Sequence, residues 1–144
     1  IVLVSQGGAP KDLNLYQTQK ALDNAKHAVK KGGIVILIGS CREGLGEGVF
    51  EDWMLHSPSP KAMIERIRTD FQLGGHKAAA IAMVLENADI YLVSDLPEDF
   101  VRKIFLEPKA SAQEALDCAF AKLGKDATVL AMPYGGSTLP LAAK

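Results

Sequence analysis

The sequence predicts an α/β domain: a three-layer, Rossmann-like fold around a mostly parallel, four-stranded sheet. Three observations lead there. Four short apolar runs rich in β-branched residues punctuate the chain, amphipathic helical stripes lie between them, and every successive pair of runs is separated by at least one such stripe. A helix between strands permits the right-handed crossover that parallel neighbours require. The 144 residues match the size of one domain, so residues 1–144 read as one folded unit.

The first run, Ile1-Val2-Leu3-Val4, reads as a strand buried on both faces, as do Ile34 to Ile38, Ile90 to Val93 and Thr128 to Met132. Leu15, Thr18, Leu22, Ala25 and Val29 form the apolar stripe of the first helix, with Asn14 and Gln17 spaced as a capping box. The segment from Cys41 to Leu85 is a long crossover. It holds a glycine-rich loop, an amphipathic piece at Phe50 to Leu55, a helix from Lys61 to Phe71 opened by Pro60, and, past Gly74-Gly75, a helix from His76 to Glu86. Pro97-Glu98-Asp99 starts a short helix, and the stripe Ala112, Ala115, Leu116, Ala119, Leu123 ends at Gly124. The expected strand order is second, first, third, fourth.

Composition excludes several roles. Sixteen basic and seventeen acidic residues give a net charge of -1, with no run of like charge, so there is no footprint for nucleic acid. No apolar run approaches the roughly 20 residues of a membrane helix. Cys41 and Cys118 are far apart, which signals neither a disulfide framework nor a zinc site and fits a reducing cytoplasm. The chain opens inside a strand without an initiator Met, as a fragment cut from a longer protein would.

In open α/β sheets ligands collect beyond the carboxyl ends of the strands, and the first such segment, Ser5 to Lys20, is the richest. Gln17, Lys20, Asn24 and His27 form a polar stripe that a solvated helix face would explain. A lysine early in a helix, however, opposes the macrodipole and invites an anionic partner. The glycine loop Gly39 to Gly48 fails as a dinucleotide fingerprint, because a GxGxxG begun at Gly44 meets Val49 and because Glu43 and Glu47 repel phosphate. Asp95 invites comparison with a phosphoacceptor domain, but Ser5-Gln6 replaces the acidic residues needed after the first strand. His76 opens a helix where an imidazole could look into a cleft or simply cap the helix. His56 and Cys118 read as structural.

The stretch Gly7-Gly8-Ala9-Pro10-Lys11-Asp12-Leu13-Asn14-Leu15-Tyr16-Gln17-Thr18-Gln19-Lys20 resembles the signature GGxPxDxNxYQxxK of the C-terminal domain of the nickel-pincer-dependent lactate racemase family. The likeness continues through Cys41-Arg42-Glu43-Gly44, Gly75-His76-Lys77-Ala78 and Met132-Pro133-Tyr134-Gly135-Gly136, and so covers nearly the whole chain. The resemblance implies an active site between two domains of a racemase or epimerase of 2-hydroxy acids, an isomerase. It places the nickel-pincer nucleotide and two acid–base histidines on an N-terminal partner domain, with neither cofactor nor metal expected in this chain and no activity expected of it alone. It assigns Gln17 and Lys20 as catalytic, holding the substrate and polarising its developing carbonyl, and Tyr16, His76, Gly7 and Gly8 to the substrate cleft.

Lactate-specific members place a tryptophan near the helix start where this chain has Gly74-Gly75-His76-Lys77. The histidine implies a more polar pocket, and a larger or more hydroxylated 2-hydroxy acid stands beside lactate as expected substrate. A non-catalytic α/β ligand-binding or assembly module is the alternative role.

Overall fold

A computed structural model describes residues 1–141. Five strands form one sheet: β1 (Val2–Ser5), β2 (Gly33–Ile38), β3 (Ala88–Val93), β4 (Glu107–Lys109) and β5 (Leu130–Met132). Six α-helices connect them: α1 (Leu15–Ala25), α2 (Gly48–His56), α3 (Pro60–Thr69), α4 (Gly75–Leu85), α5 (Glu98–Lys103) and α6 (Ala112–Leu123), followed after β5 by a 3-10 turn, Gly135–Ser137. All neighbouring strands are parallel, in the order β4-β3-β2-β1-β5.

Alternate residues of each strand point to opposite layers. Val2, Val4, Val35, Leu37, Ile90 and Leu92 face the larger core, built with Leu15 and Leu22 of α1, Phe50 and Trp53 of α2, Met63 of α3, Ile81 of α4 and Val101 of α5. Ile34, Ile36 and Tyr91 face the smaller core, closed by Ala115 and Ala119 of α6. Connections that step outward from β1 to β4 thus keep their helices on one face. The connection that reverses, from β4 back to β5, puts α6 on the other, as a single crossover hand requires.

The parallel α/β sandwich agrees with the sequence, but the strand count and order need correction. The sheet has five strands rather than four, and in the numbering of the sequence the order is third, second, first, fourth, with the extra strand β4 beyond the third. The reason lies in burial. Gly33–Ile38 is an unbroken apolar run, buried at every residue except Ile38, so it takes the centre. In β1 burial alternates along the strand, and in β5 Leu130 and Ala131 are exposed, so neither is covered on both faces as expected; β5 is an edge strand. The sequence hid β4 because Glu107-Pro108-Lys109 is polar and contains proline, which an edge strand tolerates where a central one does not.

Reversal at β1 has a local consequence. The turns that follow β1 and β5 lie side by side at the carboxyl edge of the sheet, where ligands of this fold gather, and the 3-10 turn after β5 packs against α1.

Candidate functional site

The turn after β1 is sewn to the turn after β5. Ser5 Oγ donates to the Pro133 carbonyl at 2.8 Å and accepts from the Gly7 amide at 3.0 Å. Gly7 has φ +107°, and a Cβ there would lie 3.2 Å from the Tyr134 ring, so glycine lets the two turns touch. The chain then turns through Gly8, whose carbonyl accepts from Lys11 N at 2.9 Å. Asp12, 8% exposed, accepts from the Ser40 amide at 3.1 Å and fixes this turn to the end of β2.

α1 begins at Leu15, and the amides of its first four residues are all engaged. Leu15 N and Tyr16 N each donate at 3.0 Å to Gly44 and Leu45 carbonyls of the glycine loop, Gln17 N donates to Asn14 Oδ1 at 2.9 Å, and Thr18 N donates to the Asn14 carbonyl at 3.0 Å. Half of the expected capping box is therefore present; among the described residues no bond returns from the Gln17 side chain. The glycine loop serves as a backbone cap, which accounts for glycines that fit no phosphate motif. It also means that these amides are not free to receive an anion, so anion binding beside α1 falls to side chains.

Those side chains converge beside α1. A cavity of about 320 Å³ is lined by Gln6, Pro10, Lys11, Gln17, Lys20 and Lys77. Gln17 and Lys20, three residues apart on α1, share one face and are exposed there. Lys77 arrives from α4, donating from Nζ to the Tyr16 carbonyl at 2.8 Å with Nζ 3.9 Å from the centre of the Tyr16 ring. Burial lowers the pKa of Lys77, a shift opposed by Asp23 and reinforced by Lys20, so the two ammoniums feel one another. Gln6 is 8% exposed and its Oε1 has no hydrogen-bond partner. Three ammoniums, two amides and no carboxylate line the cavity, which makes it a receptor for an anion bearing polar groups.

The remaining expected site residues lie beside this cavity and not along its wall. Tyr16 packs edge-on against Phe50 at 5.5 Å and seats Lys77. Gly7 and Gly8 shape the adjoining turn. His76 accepts from the Gly74 amide through Nδ1 at 3.0 Å, which puts the proton of the neutral ring on Nε2, and tilts against Phe71 at 6.1 Å. Its neighbour Lys77 reaches the cavity instead. Asn24 belongs to no solvated stripe: its Nδ2 donates to the Gly135 carbonyl at 2.6 Å and ties α1 to the 3-10 turn.

Sequence reasoning passed over Gln6, Lys11 and Lys77 as site residues. Lys77 could have been found, since one helical residue past His76 rotates the side chain about 100° toward α1. Cys41, buried against Thr18 with its thiol pushed up to about 11, is no nucleophile. Among the described residues no group of three or more His, Cys, Asp or Glu side chains comes together, so they offer no ligand set for a metal. A further concavity at the amino end of the sheet, lined by Ile1, Lys30, Lys31 and Leu130 among others, lies away from the strand ends where ligands of this fold gather.

Comparison with known proteins gives consistent matches. Residues 1–139 match the family described as the lactate racemase C-terminal domain. The chain is 29% identical to lactate racemase of Thermoanaerobacterium thermosaccharolyticum, with 96% of this chain and 34% of the relative aligned. It is 28% identical to lactate racemase of Lactiplantibacillus plantarum, with 94% and 33% aligned. The solved structure of the Thermoanaerobacterium thermosaccharolyticum lactate racemase apoprotein superposes with a TM-score of 0.88 at 29% identity, covering 96% of this chain and 34% of that one. The chain thus spans about a third of the length of the curated relatives it matches.

Proposed function

As the chain belongs to the lactate racemase C-terminal domain family, we propose that it forms the substrate-orienting half of an interdomain active site in a racemase or epimerase of 2-hydroxy acids. The observation that carries this reading is the meeting of Gln17 and Lys20 in one cavity at the carboxyl edge of the sheet, with Lys11 and Lys77 beside them. Lys20 meets the anionic oxygen of the substrate, and Gln17 donates a neutral hydrogen bond from the same helical turn. As the hydroxyl carbon flattens toward a keto acid, an ammonium and an amide already in place stabilise the charge that gathers on oxygen.

An N-terminal partner domain completes the cleft in this reading. The nickel-pincer nucleotide, which supplies hydride acceptance and return in such a racemase, is assigned to that domain by the likeness of the GGxPxDxNxYQxxK segment to the family's C-terminal domain. A cytoplasmic location accords with two free cysteines; among the described residues no helix is long and apolar enough to cross a membrane.

Lys20→Ala in the full-length, cofactor-loaded enzyme is expected to lower turnover tenfold or more, the loss that corresponds to about 1.4 kcal/mol of transition-state stabilisation. Gln17→Ala is expected to cost less. Both side chains are exposed, so melting temperatures should be unchanged. Wild-type turnover in Lys20→Ala would return Lys20 to an ordinary solvated helix face.

A further inference from the structure

The wall of the cavity is more cationic than a single carboxylate requires. Lys11, Lys20 and Lys77 bring three positive charges, Gln6 and Gln17 add amides, and Pro10 is the lone apolar residue. A small monocarboxylic 2-hydroxy acid would neutralise one of these charges and leave the other two without an anionic partner.

Lys77 has the geometry of a recognition group. Its ammonium is held on the Tyr16 carbonyl and over the Tyr16 ring, so its position is set by α1, the helix that also carries Gln17 and Lys20. One of its three N–H donors is used there and the others remain for a ligand. Its lowered pKa, caused first by burial and also by Lys20, shows a charge held at a cost that a second anionic group would offset. The half-buried stem, fixed at its tip, also loses less freedom on binding than a freely solvated lysine.

We propose that Lys77 recognises a second anionic substituent, so that the substrate of this site is a 2-hydroxy dicarboxylate. Lys20 and Gln17 take the carboxylate and hydroxyl at the reacting carbon, while Lys77, from the facing helix, takes the distal carboxylate. The inference rests on the racemase reading above and narrows its substrate class.

The test compares malate and lactate on the full-length, cofactor-loaded enzyme. Wild type is expected to show a kcat/KM for malate at least tenfold above that for lactate. In Lys77→Met the malate-to-lactate ratio should fall tenfold or more, chiefly through KM for malate, whereas Lys77→Arg should keep the preference. A wild-type preference for lactate, or a smaller fall in Lys77→Met, overturns the proposal while leaving the racemase reading intact. Stereoinversion of neither acid, nor of any larger or more hydroxylated 2-hydroxy acid, would instead remove the racemase reading. Calorimetric titration of malate and lactate into the full-length protein then decides the role of Lys77 separately: malate binding tenfold or more tighter than lactate and lost in Lys77→Met supports it, and any other result overturns it. Because Lys77 also seats Tyr16, Lys77→Met is compared with wild type by thermal melt. If it unfolds, loss of the malate preference in Lys77→Arg refutes the proposal and its retention supports it.

Discussion

Gly46→Ala perturbs the cap of α1 at its tightest point. Gly46 has φ +95°, and the side chain of Asn14 occupies the space a Cβ would need. Backbone strain at such a φ costs about 1–2 kcal/mol for a residue other than glycine. Displacing Asn14 removes the hydrogen bond to Gln17 N, worth about 1 kcal/mol at an N-cap. Shifting the loop also loosens the Gly44 and Leu45 carbonyls from Leu15 and Tyr16, with a further loss of about 0.5–1.5 kcal/mol. A destabilisation of about 2.5–4.5 kcal/mol is therefore expected, read from urea unfolding at constant slope.

Two neighbours calibrate it. Gly44 has φ +81° with nothing near a Cβ, so Gly44→Ala carries the strain alone, about 1–2 kcal/mol. Gly48 opens α2 with nothing near a Cβ and no positive φ, so Gly48→Ala should be neutral or stabilise by up to about 1 kcal/mol. Asn14→Ala should cost much less in the Gly46→Ala background than in wild type, since the cap is already gone. Equal effects of Gly46→Ala and Gly44→Ala, or full additivity with Asn14→Ala, would refute the idea that loop and cap form one unit.

Other expectations follow from burial. Gly75→Ala places a Cβ 2.7 Å from Trp53 Cε2 and Cζ2, so it should destabilise by about 1–3 kcal/mol and red-shift the emission of this single tryptophan. Burial holds the Cys41 thiol at about 11, so iodoacetamide at pH 8 should modify the half-buried Cys118 first, as read by peptide mass spectrometry. The same shift has a sign for folding. A thiol whose folded pKa lies above its unfolded value stabilises fully below about 9, and that contribution, on the order of 3 kcal/mol, is lost as pH rises toward 11. Cys41→Ala should flatten this alkaline limb in urea melts, and an unchanged limb would assign it to other groups.

Much of the architecture could be read from periodicity, because strands buried on two faces and helices buried on one leave unmistakable patterns in residues such as Ile34 to Ile38 and Leu15 to Leu22. Strand order was harder. Which strand sits at the centre depends on how many faces the rest of the chain covers, and only the unbroken apolar character of Ile34 to Ile38 hinted at it. A strand as short and polar as Glu107-Pro108-Lys109 exists through its pairing with Tyr91 to Val93 alone, so no local signal announces it. At the site, Gln17 and Lys20 could be found because one helical turn joins them. Lys77 is 57 positions beyond Lys20, and its approach depends on α4 packing against α1, a tertiary fact.

The saturated start of α1 decides what kind of receptor this is. An anion held by backbone amides sits in a fixed dipolar nest that salt perturbs little, and no point substitution of a side chain can remove it. Here the backbone has spent its donors on its own glycine loop, and the charge that meets a ligand rides on exposed or half-exposed lysine tips. Such charges are screened over about 8 Å at physiological ionic strength. Ligand affinity should accordingly fall as potassium chloride is raised, and the specificity of the domain can be rewritten one lysine at a time without disturbing the fold that carries it.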